Sequence, residues 1–454
     1  MIRAIADRLR PADPASRDAG FTIAEVLVAM MVFAVVSVGV AAGIVNALVL
    51  TNDSKARTVA THLANQAMDL ERGKSDIFQV VSKTSTQSVG QIVYTTAVTA
   101  TWADASGAIG NCGLSGSTTT IANKSVDVQV SWTSSSRAAQ YAPVRMTALV
   151  TPGSDSSNPE SGVIFVGVVG ATGTGSGGVI VSIIPSPTDP AGAKSLAVQP
   201  AVTTSSGCSV ARGVSPGNYV VTITRANGIS STQDVAPTSA VTVTGGGTAT
   251  ASFQYDTAAS YVPVLQTGGA AVPTNLTMTY RNTGQDRLVA NTGAVRLFPF
   301  PDGYNLMTGA YVGTPSATAC TDVDWTSWST PTADGKVAPR ASNAAPTPGG
   351  TASVTVPMGV FTATTTIGPA VITATPTTPL DAADPGCRTA PATTWTFARG
   401  TGTTQTLALP YGTYSVTATV VNALGVSITT PVSLSGKTRS TVTGSTIMLD
   451  PRAS

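Results

Sequence analysis

Few side chains in this sequence are equipped for chemistry. There are four cysteines, one histidine and three glutamates, Glu25, Glu71 and Glu160. Cys112, Cys208, Cys320 and Cys387 lie far apart with no CxxC or CxxH spacing, and His62 stands alone, so a clustered zinc site is not expected. No serine sits in a GxSxG turn, the scarce acids form no paired arrangement, and His62 falls in a helical stretch from which it cannot join a triad. Gly173 to Gly178 (GTGSGG) satisfies GxGxxG, but VIVSII follows it, a strand pattern where a pyrophosphate needs a helix N-terminus. Asp322 and Asp324 lack the remainder of a calcium loop. We therefore expect neither an enzyme nor a cofactor. An even number of widely spaced cysteines suits an exported protein, with three pairings open. Cys320 with Cys387, both in the last third of the chain, is the favoured pair. Cys112 with Cys208 is then the remainder and would join neighbouring modules, and free buried thiols are the alternative.

One acid stands out by its place. Residues 1–20 are polar and basic, whereas Phe21 to Leu50 form a run of thirty residues whose polar side chains are Thr22, Glu25, Ser37 and Asn46. About twenty such residues cross a bilayer. A carboxylate five residues into such a span costs on the order of 2.5–3.5 kcal/mol at mid-bilayer, less near the interface, and so needs a partner. The first cation after it is Lys55, beyond side-chain reach. Arg3, Arg8, Arg10 and Arg17 favour a cytoplasmic N-terminal side and an extracytoplasmic body, although Lys55 and Arg57 lie on the far side. Gly39 and Gly43 make a GxxxG, a spacing that lets helices approach closely. No proline occurs between Phe21 and Gly73, and Val59, Leu63, Ala67 and Leu70 recur at helical spacing, so the helix is expected to run on to a solvated end at Asp69, Glu71, Arg72 and Lys74. His62 reads as an ordinary packing or surface residue.

Gly20-Phe21-Thr22-Ile23-Ala24-Glu25, with Arg17 just upstream, resembles the type IV prepilin cleavage and methylation motif. The resemblance implies that a prepilin peptidase cuts between Gly20 and Phe21 and methylates the new N-terminal residue. It also implies that Glu25 meets the amine on Phe21 of a neighbouring pilin subunit as the helices pack. Glu25 snorkelling to the interface of a plain single-pass anchor is the alternative.

Beyond Ser75 the period changes. Gln91 to Thr101, Lys124 to Thr133 and Val144 to Thr151 alternate as half-buried strands do. The expected fold is an α+β pilin-like N-terminal part, a long helix over residues 21–75 and a small antiparallel head over 76–161, followed by mainly β sandwiches. GSDSSNPESG, residues 153–162, reads as a linker. Ser215-Pro216-Gly217-Asn218-Tyr219 matches Pro410-Tyr411-Gly412-Thr413-Tyr414. Each tyrosine precedes a final strand ending 37 or 36 residues later, at Asp256 or Asp450. These stretches resemble carboxypeptidase-regulatory-like or collagen-adhesin B-type sandwiches, of immunoglobulin-like or transthyretin-like fold, and the resemblance implies modules over 162–256 and 351–454. Some such sandwiches carry a lysine–asparagine cross-link assisted by a buried acid. No glutamate falls inside either module, and an aspartate version would need Lys194 or Lys437 beside an acid. Residues 257–350 form a further β-rich module or insertion. Its aromatic stretch, Phe298, Phe300, Tyr304 and Tyr311 followed by Trp325 and Trp328, reads as core filling or as a carbohydrate platform. Ala341 to Gly350 has linker composition.

Charged residues make up 11% of the chain and the net charge is +2, which gives no attraction for nucleic acid. The function expected is a minor or tip-type pilin-like subunit, set in the membrane by its helix and displayed at the cell surface for adhesion or scaffolding. A minor place follows from a body too large to repeat easily at every position of a tightly wound fibre. The alternatives are a pseudopilin of a secretion or DNA-uptake system and a membrane-anchored sugar-binding surface protein.

Overall fold

The computed structural model describes residues 21–103, 112, 123–133, 142–152, 160–290, 293–311, 325–328, 330–338, 343–386, 393–421, 425–436 and 440–452. Arg17, Gly20, Cys320, Cys387, Asp322, Asp324 and Lys437 lie outside them. The chain forms two compact units, one of residues up to Ala100 with Lys124–Val150 and one of Thr101–Asn123 with Thr151 onward.

The first unit is built on α1, Ile23–Arg72, a helix of 50 residues, about 75 Å at 1.5 Å per residue. Gly73 ends it, its N–H bonding the Asp69 carbonyl at 2.9 Å. Ala56, Ala60, Ala64 and Met68 form the buried stripe of its second half. Val59, Leu63 and Ala67 only flank that stripe, and Leu70 is exposed. The helical period is as the sequence predicts, but the buried face lies one position on from Val59, Leu63 and Ala67. Alanines occupy the contact because small side chains bring the helix close to the sheet, where Tyr94, Val98, Val126, Val128, Val130 and Trp132 complete the core. Glu71, expected at a solvated end, is instead fully buried and paired with Lys74 and Lys83 at 2.6 and 2.7 Å.

The head sheet has four strands in sequence order, Lys83–Val89, Ile92–Ala103, Asn123–Trp132 and Val144–Val150. Three match the alternating segments of the sequence. Lys83–Val89 (KTSTQSV) is exposed at every residue and so carries no alternation to read.

The second unit contains three β modules. In the first, the sheet of Ile180–Pro185, Gly217–Thr224 and Thr238–Val243 and the sheet of Gly162–Val169, Cys208–Val214, Gly228–Ser230 and Thr248–Thr257 enclose one core that includes Ile164, Ile183, Tyr219 and Tyr255. The GxGxxG stretch is the loop between Gly162–Val169 and Ile180–Pro185, with φ of 79° at Gly173 and 74° at Gly178 and no helix after it. The middle module runs from Ala259–Gln266 to Thr351–Pro357, and these two strands pair in parallel. The last module begins at Gly359–Thr365 and packs Phe361, Phe397, Tyr414 and Ile447.

The two matched motifs adopt one geometry. The Tyr219 hydroxyl donates to the Ser215 carbonyl and the Tyr414 hydroxyl to the Pro410 carbonyl, each at 2.9 Å, the tyrosine corner of immunoglobulin-like sandwiches. Gly217 and Gly412, two residues before them, have φ of 144° and 147°. Their final strands differ: Thr248–Thr257 pairs in parallel with the first strand of its module, whereas Thr446–Leu449 pairs antiparallel with Gly412–Val421.

Cys112 and Cys208 are bonded to each other. Both belong to the second unit, so the bridge closes within that unit, and the Cys112 sulfur lies 3.3 Å from the Val166 carbonyl of the first sandwich. Trp102, in the same unit, lies edge-on to Phe165 at 4.9 Å.

Candidate functional site

The first turn of α1 is assembled by its own polar side chains. Thr22 is the N-cap, its hydroxyl accepting from the Glu25 N–H at 3.3 Å. The Glu25 carboxylate accepts in return from the Thr22 N–H at 3.2 Å. This reciprocal arrangement satisfies donors that a helix start leaves orphaned. The T-x-x-E spacing of Thr22 and Glu25 is its sequence signal, distinct from the cation that the charge of Glu25 calls for. The negative side chain also sits where the helix dipole is positive.

From this turn onward, every residue from Phe21 to Leu48 is exposed in the single chain. Thr22, Glu25, Val28, Ala29, Val32 and Phe33 line one shallow face. Open space lies beside Gly39 and Gly43, so a second helix meets no steric obstacle at either glycine. The surface is thus apolar over a length sufficient for a bilayer, with one carboxylate near its end.

The other predicted features resolve differently. Phe298 and Tyr304 are fully buried, Trp325 and Trp328 are buried, and Phe300 packs against Tyr304 at 5.8 Å, so these rings fill cores. Tyr311 lies under the Arg281 guanidinium, 3.9 Å from ring to carbon. Lys194 is exposed. Among the described residues no group of three or more His, Cys, Asp or Glu side chains is placed to hold a metal.

Sequence reasoning did not anticipate the charged cluster where the chain nears its end. Arg452 is bonded to Asp450 at 2.8 Å, to Asp381 at 2.9 Å and to the Thr330 carbonyl at 2.9 Å, and lies over Trp328. The Ala383 N–H and then Arg452 hold the Asp381 carboxyl below its usual range. Next to it Asp384 is buried and accepts from Thr413 at 2.6 Å, yet burial pushes its carboxyl up. The cleft beside them is about 550 Å³. Its one guanidinium is already matched by two carboxylates, which makes it a clasp between Arg452 and the Thr330 segment.

A model of the prokaryotic N-terminal methylation motif matches residues 15–41. No curated protein matches the chain. Among solved structures, the Bacillus anthracis TIE protein is similar at 11% identity, over 77% of this chain and 70% of that one, with a TM-score of 0.19. BcpA, the major pilin subunit of Bacillus cereus, is similar at 10% identity over 59% and 92%, with a TM-score of 0.19. The Streptococcal ancillary pilin is similar at 11% over 42% and 70%, with a TM-score of 0.18. Superposition this loose carries no argument, and the motif is what counts. The chain bears a prokaryotic N-terminal methylation motif on an apolar helix that anchors it as a single-pass membrane protein with its β-rich body outside.

Proposed function

We propose that the protein is a minor or tip-type subunit of a type IV pilus-like filament, cut by a prepilin peptidase between Gly20 and Phe21 and displayed outside the membrane for adhesion or scaffolding. The observation that carries this reading is the coincidence of the methylation motif over residues 15–41 with an apolar helix exposed along its whole span. Cleavage puts a positive amine on Phe21. Glu25 holds its capping hydrogen bonds within its own helix but has no cation there, so the amine of a neighbouring subunit is the charge it lacks. Pairing the two as helices pack removes two charges from an apolar medium and fixes their axial register. In this reading the body's role is non-catalytic; what supports it is that, among the described residues, Glu71, Asp381, Asp384 and Asp450 are held in ion pairs or hydrogen bonds and Phe298, Tyr304, Trp325 and Trp328 are buried.

The test is expression with and without the prepilin peptidase, alongside Glu25→Ala. We expect peptidase-dependent shortening of both forms, and recovery of the wild type but not of Glu25→Ala in sheared surface filaments. Identical unshortened chains in both backgrounds would sink the reading.

A further inference from the structure

The strands Ala259–Gln266 and Thr351–Pro357 lie side by side in parallel, in register from Ser260 beside Thr351 to Gln266 beside Pro357. They are the first and last strands of the middle module. Everything on the anchor side of the chain therefore reaches this module at Ala259, and the chain leaves it for the last module at Pro357. In a parallel pair those two points sit at opposite ends of the ladder.

We propose that this pair is a tension clamp, and that bearing pull between the membrane anchor and the last module is a function of the body. The proposal rests on the anchored, surface-displayed reading above. A pull from Ala259 to Pro357 has to slide the strands along each other, so the evenly spaced bonds of the parallel ladder are loaded together. Separating the same strands from one end would break those bonds in succession.

Three observations carry the inference. Parallel pairing cannot arise from a hairpin and needs a crossover of a dozen or more residues; here residues 267–350 make that crossover, so most of the module is shielded behind the clamp. The clamp is also embedded: Tyr261 and Val356 are fully buried, and Tyr261 meets Tyr304 edge-on at 5.1 Å. The first sandwich repeats the construction, its first strand Gly162–Val169 running parallel to its last, Thr248–Thr257, from Val163 beside Thr248 to Val169 beside Gln254, a pair that comes under load only when the Cys112–Cys208 bridge is open. Contacts between modules lie beside the clamp. Gln233 bonds Tyr304 at 2.9 Å and Phe298 at 3.0 Å; toward the last module Ala271 exchanges backbone bonds with Thr406 and Ala408 at 3.0 and 2.8 Å, Asn275 bonds Thr394 at 2.8 Å, and Ala270 and Leu276 join the core around Phe361.

The geometry supplies its own control. The Gly349 N–H bonds the Thr257 carbonyl at 3.2 Å, so the chain just before each clamp strand lies at one and the same end of the ladder. The full chain, solubilised in detergent, is pulled by tags at its two termini, which shears the clamp. It is then pulled between the N-terminal tag and an azide-bearing residue replacing the exposed Pro348, which peels it. Forced unfolding is governed by the unfolding rate, so both are done at one loading rate. The step that frees the middle module, recognised by the length it releases, is expected at several-fold higher force in the first arrangement. Equal forces in the two arrangements overturn the proposal. That outcome leaves peptidase processing untouched, and failed processing leaves the force difference untouched, so the two readings fail separately.

Discussion

Glu71 shows how a single carboxylate can be both buried and ionised. Its side chain is fully enclosed, and burial alone pushes the carboxyl up. The ammonium groups of Lys74 and Lys83, at 2.6 and 2.7 Å, outweigh this and hold it below the usual range. A folded value below the unfolded one means that the stabilisation is fully present above the unfolded value, about 4.3 for glutamate. It is lost as the pH falls through the folded value. Glu71→Gln should therefore cost about 2 kcal/mol at pH 7, the range for hydrogen bonds to charged groups. The gap to the wild type should narrow as the pH falls toward the folded value of the native glutamate. Urea unfolding of both forms at pH 7 and pH 3 checks this, and a variant as stable as the wild type at pH 7 would remove the ion pairs from the account of the head. Asp384 has the opposite sign: burial raises its carboxyl, so its contribution is present in acid and lost as the pH rises through its folded value.

At the scale of elements, the tyrosine corners test whether matched sequence means matched constraint. Gly217 and Gly412 share φ near 145°, a region that side chains rarely adopt. Their surroundings differ. A Cβ on Gly217 would collide with the Ala193 backbone nitrogen, whereas one on Gly412 would first meet the Tyr414 hydroxyl at 3.3 Å. Gly217→Ala should thus cost about 2–4 kcal/mol through strain and overpacking together, and Gly412→Ala about 1–2 kcal/mol through strain. Chemical denaturation of the two single variants checks the order. These corners were legible because a Gly-x-Tyr turn is local. The helix was legible for the same reason, and so was the processing motif. What was not legible depends on contacts distant in sequence. Glu71 looked solvated until Lys83 came back across it, and Lys83–Val89 gave no period because neither of its faces is buried. The Phe298 to Tyr304 rings gave no sign by composition of whether they faced inward or outward. The capping box of Thr22 and Glu25 is local too, but it serves the backbone N–H rather than the charge by which Glu25 stands out in the sequence.

Across the whole molecule, the Cys112–Cys208 bridge decides which strands a pull can reach. Cys208 lies beside Gly167, and Gly167 lies beside Ser252. The bridge therefore attaches at the end of the sheet where Thr248–Thr257 leads out of the sandwich, while Gly162 lies toward the other end. With the bridge closed, pull arriving along the chain at Cys112 crosses directly to Cys208. Residues 113–207, including the Gly162–Val169 strand, then stay slack, and the first parallel pair is not sheared. Opening the bridge reroutes the pull through Gly162 and brings that pair under load. The bridge spans 96 positions, so at about 3.3–3.6 Å per extended residue its loss should add about 330 Å to the length released on full extension. It should also add a shear step in the first sandwich. Pulling the wild type with and without reductant, beside Cys112→Ser, checks both. The variant should also lose about 2–4 kcal/mol of equilibrium stability, the typical range for a disulfide. Equal released lengths with and without reductant would mean that the bridge lies outside the path of the load.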